Sequence, residues 1–146
     1  MDTLDNADNK IIELLYIESV IKIYIDDNKL YLVLYEKNME DNQLLQLYET
    51  LEMFYEVCKK KNKRFFFVID FRLYNQHPTQ FQLLKKCVCF LNKHRDFYEK
   101  YKISTICIVD CYAIKIALNV ILKIYTPVRP FVFFNTIDEI VFDTTL

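Results

Sequence analysis

Two carboxylates in this chain stand where chemistry could be done. Asp70 closes the apolar run Arg64-Phe-Phe-Phe-Val-Ile-Asp-Phe71, and Asp110 follows Ile106-Cys-Ile-Val109. Ligands of open α/β sheets gather at the carboxyl ends of the strands, and hard carboxylate oxygens there could hold Mg²⁺. The same positions have a plainer use, because a carboxylate between a strand and the next segment accepts hydrogen bonds from orphan backbone amides. The plainer use is expected of both, since no phosphate-binding loop accompanies them. Asp70 and Asp110 are therefore the metal candidates of a chain in which no metal site is expected.

The other reactive side chains point the same way. His94 shares a helical face with Leu91 and Tyr98 and is expected to be a packed or surface imidazole. His77 precedes Pro78 and is expected to cap a loop or face solvent. Cys87 and Cys89 are two apart on a helix, so they lie on nearly opposite faces. Cys107 and Cys111 lack a C-x-x-C partner. No spacing selects a Cys–His nucleophile pair. With Cys58 these form an odd set among apolar residues, as expected of buried free thiols in a reduced compartment. The basic run Lys59, Lys60, Lys61, Lys63 and Arg64 could meet nucleic acid or anionic lipid, but at a helix end it serves the macrodipole.

The chain contains no glycine. Glycine supplies positive φ and close backbone approach, so the phosphate loop, the dinucleotide turn, the nucleophile elbow and the EF-hand loop are all missing. No catalytic residue and no cofactor site is expected. Hydrophobic residues make up 53% of the 146, too many for a disordered chain and enough for one domain with a real core. A net charge of −1 argues against a nucleic-acid partner, which usually meets a basic domain. No run is long and apolar enough for a transmembrane segment, and the acidic start (Asp2, Asp5, Asp8) is unlike a signal peptide. A cytoplasmic protein is expected. Lysine far outnumbers arginine, and Ile, Asn, Tyr and Phe abound, which points to an AT-rich genome such as that of a protist, a low-GC bacterium or a large DNA virus.

These residues need elements to position them. Residues 1–9 are polar, and 11–17 fit a helix or a strand equally. Residues 20–26 and 30–36 read as a hairpin, with Asn28 expected at the positive-φ corner. An amphipathic helix over 40–61 carries Leu44, Leu47, Tyr48, Leu51, Phe54, Tyr55 and Cys58 on one face, with Asn62 in glycine's place after it. Residues 64–71 do not alternate, as a strand covered on both faces requires. Pro78 opens a second long helix over 78–101, with Phe81, Leu84, Val88 and Leu91 on its apolar face. A strand follows over 103–109, then a helix over 111–125 capped by Asp110. Pro127 and Pro130 lead into a strand over 131–134, and Thr136-Ile-Asp-Glu139 predicts a capping box for a last helix over 137–143. Alternating strands and helices imply crossovers of one hand, with helices on the sheet faces.

The helix over 111–125 is apolar nearly all round, with only Lys115, Asn119 and Lys123 as a polar stripe. Such a helix must be covered on more than one side. A partner or a lipid-like ligand could supply the second cover, with Ile114, Leu118, Ile121, Leu122 and Tyr125 as the interaction residues.

The second half resembles the STAS-like proteins, in the small branch related to sporulation anti-anti-sigma factors (the STAS/SEC14-like proteins). The resemblance rests on Leu91-Asn-Lys-His94-Arg95-Asp96-Phe97, Ile106-Cys-Ile-Val109-Asp110, Arg129-Pro-Phe-Val-Phe-Phe134 and Thr136-Ile-Asp-Glu139. It extends by element order over residues 20–146. It implies an α/β fold with an N-terminal β-hairpin followed by β/α units, as a domain over 20–146 after an extension over 1–19. It implies a non-catalytic interaction module, here expected to self-associate as a homodimer through the apolar helix. In the wider family a hydroxyl after the strand corresponding to 65–71 can be phosphorylated. Residues 72–80 hold no serine, which leaves Thr79 as the candidate. Two other functions compete: a carrier of a lipid or small apolar ligand, and a structural component of a large DNA virus particle, with the virion as its location.

Overall fold

A computed structural model describes residues 11–74 and 81–144, the side chains of 81–85 excepted. Six strands form one sheet in the order in which the chain makes them: β1 (Ile11–Ile17), β2 (Ile21–Asp26), β3 (Lys29–Leu34), β4 (Phe65–Asp70), β5 (Lys102–Ile108) and β6 (Phe131–Phe134). The first three pair antiparallel, and β3 to β6 run parallel. Each parallel step is a helical crossover: α1 (Asp41–Lys61), then α2 (Phe81–Lys93) with α3 (Arg95–Tyr101), then α4 (Tyr112–Ile124). The ambiguous segment 11–17 is thus a strand, and it pairs with β2 at one edge of the sheet.

Parallel strands that advance steadily in one direction, joined by crossovers of one hand, place every helix on the same side. The register makes this concrete. Leu30 pairs with Phe67, Phe67 with Thr105, and Thr105 with Phe131, so all four point to one face. On that face Leu30 and Phe67 pack with Leu47, Leu51 and Phe54 of α1 and with Phe97 and Tyr98 of α3. Phe131 and Cys107 pack with Ile114 of α4 on the same side. The opposite face, with Tyr31, Phe66, Val68, Ile106 and Ile108, is covered by Ile140 and Phe142 of the C-terminal segment. Among the described residues the helices lie on one sheet face and not on both, yet β4 is still buried on each, because that segment fills the second side. This is why 65–70 reads as an unbroken apolar run.

Without glycine, short polar side chains occupy the left-handed positions: Ser19 (φ 62°), Asp27 (φ 57°) and Asn62 (φ 51°). Asn62 stands where expected, and in the hairpin the left-handed residue is Asp27, not Asn28. Such residues tolerate this region because their side chains can bond locally.

Three element ends differ from the sequence reading. The helix expected over 78–101 breaks at His94 (φ −109°, ψ 19°), whose imidazole Nε2 lies 3.0 Å from Glu52 Oε2 on α1 and packs against Phe90 and Tyr55. A contact from a distant helix fixes that residue, so spacing along 78–101 carries no trace of it. Cys111, not Asp110, precedes the first turn of α4. The helix expected over 137–143 is a single 3-10 turn at Ile137–Glu139, where the Thr136 hydroxyl donates to Glu139 Oε1 (3.0 Å), so the two side chains meet each other. No helix among the described residues is long and apolar enough to cross a membrane. Residues 1–10, His77, Pro78 and Thr79 lie outside the described residues, as do the side chains of Phe81 and Leu84.

Candidate ligand-binding site

Lys102, to which the sequence reading gives no role, is the most unusual polar residue of the fold. α3 ends at Tyr101 and β5 starts at Lys102, so no loop carries the lysine out to solvent. The register then shifts: Phe65 pairs with Lys102 but Phe66 with Ser104, which leaves Ile103 as an inserted residue. In a regular strand Lys102 and Thr105, three apart, would face opposite sides. The bulge brings them to the same side, beneath the helices. Lys102 is 2% exposed, and its ammonium donates to Thr105 Oγ1 at 3.1 Å. It lies 3.8 Å from the centre of the Tyr98 ring and 5.2 Å from that of Phe67. Ring faces attract a cation, but they do not replace a counter-ion. No described carboxylate forms an ion pair with Lys102. Burial pulls its pKa down to about 7, because the charged form is the one that loses hydration.

Lys102 is among the residues that line a cavity of about 160 Å³ between the sheet and the helices. Its floor is Leu32, Leu34, Phe67, Ile69, Thr105, Cys107 and Phe131 from the sheet. Ile114, Ala117, Leu118 and Ile121 of α4 form the roof, at the 3- and 4-residue spacing that one helical face requires. Leu47 of α1 and Cys87 and Leu91 of α2 close the sides, with Met39, Phe71 and Tyr74 from the connections. The Tyr74 hydroxyl donates to Asn38 Oδ1 at 2.7 Å. Burial pushes the Cys87 thiol up to about 11 and the Cys107 thiol up to about 12, so both stay protonated near neutral pH. Lys102 is the only cation among the described lining residues.

The side chains of α4 divide differently from the set named on sequence. Ile114 and Tyr125 are buried, Leu118 and Ile121 face the cavity, and Leu122 is half-buried. The exposed large apolar residues of α4 are Tyr112, Ile116 and Ile124, at 77%, 48% and 64% exposure.

The two aspartates do not form a site. Asp70 is engaged by Arg72, whose Nε donates to Oδ1 (3.0 Å), Nη2 to Oδ2 (2.7 Å) and backbone N–H to Oδ1 (3.0 Å). A bidentate guanidinium occupies both oxygens that a cation would need. Asp110 is exposed. Among the described residues, no three of His, Cys, Asp and Glu gather as a metal set would. The five cysteines are free thiols, but only Cys58 and Cys107 are fully buried; Cys87 and Cys111 are half-buried and Cys89 is exposed. Lys59, Lys60, Lys61, Lys63 and Arg64 are exposed at the end of α1, with Lys59 donating to Glu56 at 2.9 Å. His94 is drawn below its usual pKa by burial, with Glu52 opposing that shift.

No family model, no curated protein and no solved structure matches this chain. What the site can do therefore rests on its own geometry: an apolar chamber, closed by one helix, with a lysine and a threonine at one place in its wall.

Proposed function

We propose that this protein is a non-catalytic α/β module that binds a small apolar ligand beneath α4. One observation carries this reading: the space under α4 is a cavity of about 160 Å³ walled by aliphatic and aromatic side chains. Dry apolar cavities of about 150 Å³ accept a benzene-sized molecule, which sets the ligand's size at one ring or a short alkyl chain. The same observation explains the composition of α4, since its inner face seals a chamber instead of interlocking with a filled core. The element order, a hairpin followed by β/α units, is the one that the resemblance to STAS-like proteins implies. In that family the domain serves binding without catalysis.

The test uses the full-length protein and 1-hexanol as probe. Methyl resonances of Leu91, Leu118 and Ile121 shift on addition of hexanol at millimolar concentration, and Ala117→Phe, which fills the chamber, abolishes the response. Unmoved methyls in the wild-type protein would sink the reading.

A second reading, self-association through α4, draws on the outward residues Tyr112, Ile116 and Ile124. An exposed apolar strip on a single helix marks a contact surface, and a second copy of the chain is the partner we propose for it.

A further inference from the structure

We propose that the ligand of this cavity carries a carboxylate, held by the ammonium of Lys102 and the hydroxyl of Thr105 while its apolar part lies under α4. The inference rests on the ligand-binding reading and adds the chemical class, a small apolar monocarboxylic acid.

Charge sets the class of the ligand. An ammonium removed from water without a counter-ion is costly, and a negative group brought to it recovers part of that cost. Among the described residues, no carboxylate forms an ion pair with Lys102. Facing Lys102 or lining the chamber with it are Tyr98 from α3, Cys107 from β5, Cys87 from α2 and Tyr74 from the connection after β4. From α1, the Tyr55 hydroxyl lies 2.9 Å from that of Tyr98, and the lining residues of α4 are all aliphatic. Burial raises the pKa of each of these thiols and phenols, so all are neutral near pH 7. From the segment between α4 and β6, the Arg129 guanidinium donates to the carbonyls of Lys102 and Ile103 (3.0 and 3.3 Å), which sets a second cation near the strand backbone.

Hydrogen bonding agrees. Thr105 Oγ1 accepts from the lysine, which leaves its own O–H to donate. An ammonium and a hydroxyl 3.1 Å apart match in spacing the two oxygens of one carboxylate. One cation matches one negative charge, so a dianionic phosphate would bring a second charge into an apolar chamber with nothing to meet it. The apolar remainder of a six-carbon acid is in the size class of the benzene-sized ligands that such cavities take.

The experiment compares hexanoate with 1-hexanol on the full-length protein by calorimetry, between pH 6 and pH 9. Hexanoate is expected to bind more tightly than hexanol at pH 6. Its affinity should fall by about tenfold per pH unit once the free amine loses its proton, while hexanol binding stays flat. Lys102→Met should keep hexanol binding and lose at least about tenfold in hexanoate affinity at pH 6. Hexanoate binding that ignores pH, or that Lys102→Met leaves unchanged, overturns the carboxylate anchor. Hexanol binding without hexanoate binding also overturns it, while leaving the apolar cavity standing. If neither binds, the cavity reading falls with it. The wild-type pH profile decides the matter even if Lys102→Met does not fold.

Discussion

A buried amine whose pKa lies near 7 ties the stability of this protein to pH in a defined direction. The unfolded chain holds the Lys102 proton up to an ordinary lysine pKa near 10.5, whereas the folded chain releases it from about pH 7. Between these values the unfolded state binds more protons, so stability rises with pH. The slope approaches ~1.4 kcal/mol per pH unit for one group. Above about pH 9 the trend reverses, because Cys58, Cys87 and Cys107 are held protonated by burial while their unfolded counterparts ionise. Lys102→Met is therefore expected to stabilise the ligand-free protein at pH 7, and its advantage over wild type should shrink steadily toward pH 9. Chemical denaturation at several pH values measures this directly. A constant difference between the two proteins would mean that the amine is hydrated in the fold. His94, with its lowered pKa, acts below its ordinary value of 6.5, in both proteins alike, and cancels in the comparison.

At the scale of elements, the fold replaces glycine by short polar residues and places its one critical irregularity in β5. Asn62 ends α1 in the left-handed region (φ 51°, ψ 49°), with its N–H on the Lys59 carbonyl at 3.3 Å and the Lys63 N–H on Cys58 at 3.0 Å. A Cβ without a polar group pays the left-handed penalty unaided. Asn62→Ala should thus cost ~1 kcal/mol in urea denaturation, and Asn62→Gly should be neutral or slightly stabilising. A larger loss for Gly than for Ala would show that the asparagine side chain, and not its backbone, is what matters. The bulge at Ile103 has the greater functional weight, since it alone sets Lys102 and Thr105 on the helix side of the sheet. Of the helix ends, the one after α1 was legible because it depends on local backbone chemistry. The break at His94 was not, because Glu52 reaches it from another helix.

For the molecule as a whole, the four described helices on one side of the sheet leave α4 beside the last strand, with an apolar outer strip. If that strip joins two copies, sedimentation velocity across a range of concentrations should show a dimer. Ile116→Glu, at a half-exposed position, should return the monomer without lowering the melting temperature by more than a few degrees. A wild-type protein that sediments as a monomer throughout would leave the strip without a second copy to cover it. The substitution should spare hexanol binding, because Ile116 is not among the residues that line the cavity. The association and the ligand site are therefore separable by one side chain.

By itself the sequence determined the strands from β2 onward and their order with α1 and α4, the burial of 65–70 on both faces, and the local uses of Asn62 and Asp70. All of these follow from periodicity, continuous apolar runs and short-range hydrogen bonds, which act within a few residues. The α/β layout with a leading hairpin was legible for the same reason. Tertiary structure alone decided that the described helices share one side, that Ile114, Leu118 and Ile121 of α4 line a cavity, and that Lys102 stands in its wall. Each of those depends on register between strands distant in the chain. A one-residue shift between β4 and β5 reverses the side on which a residue stands, and no local pattern records it.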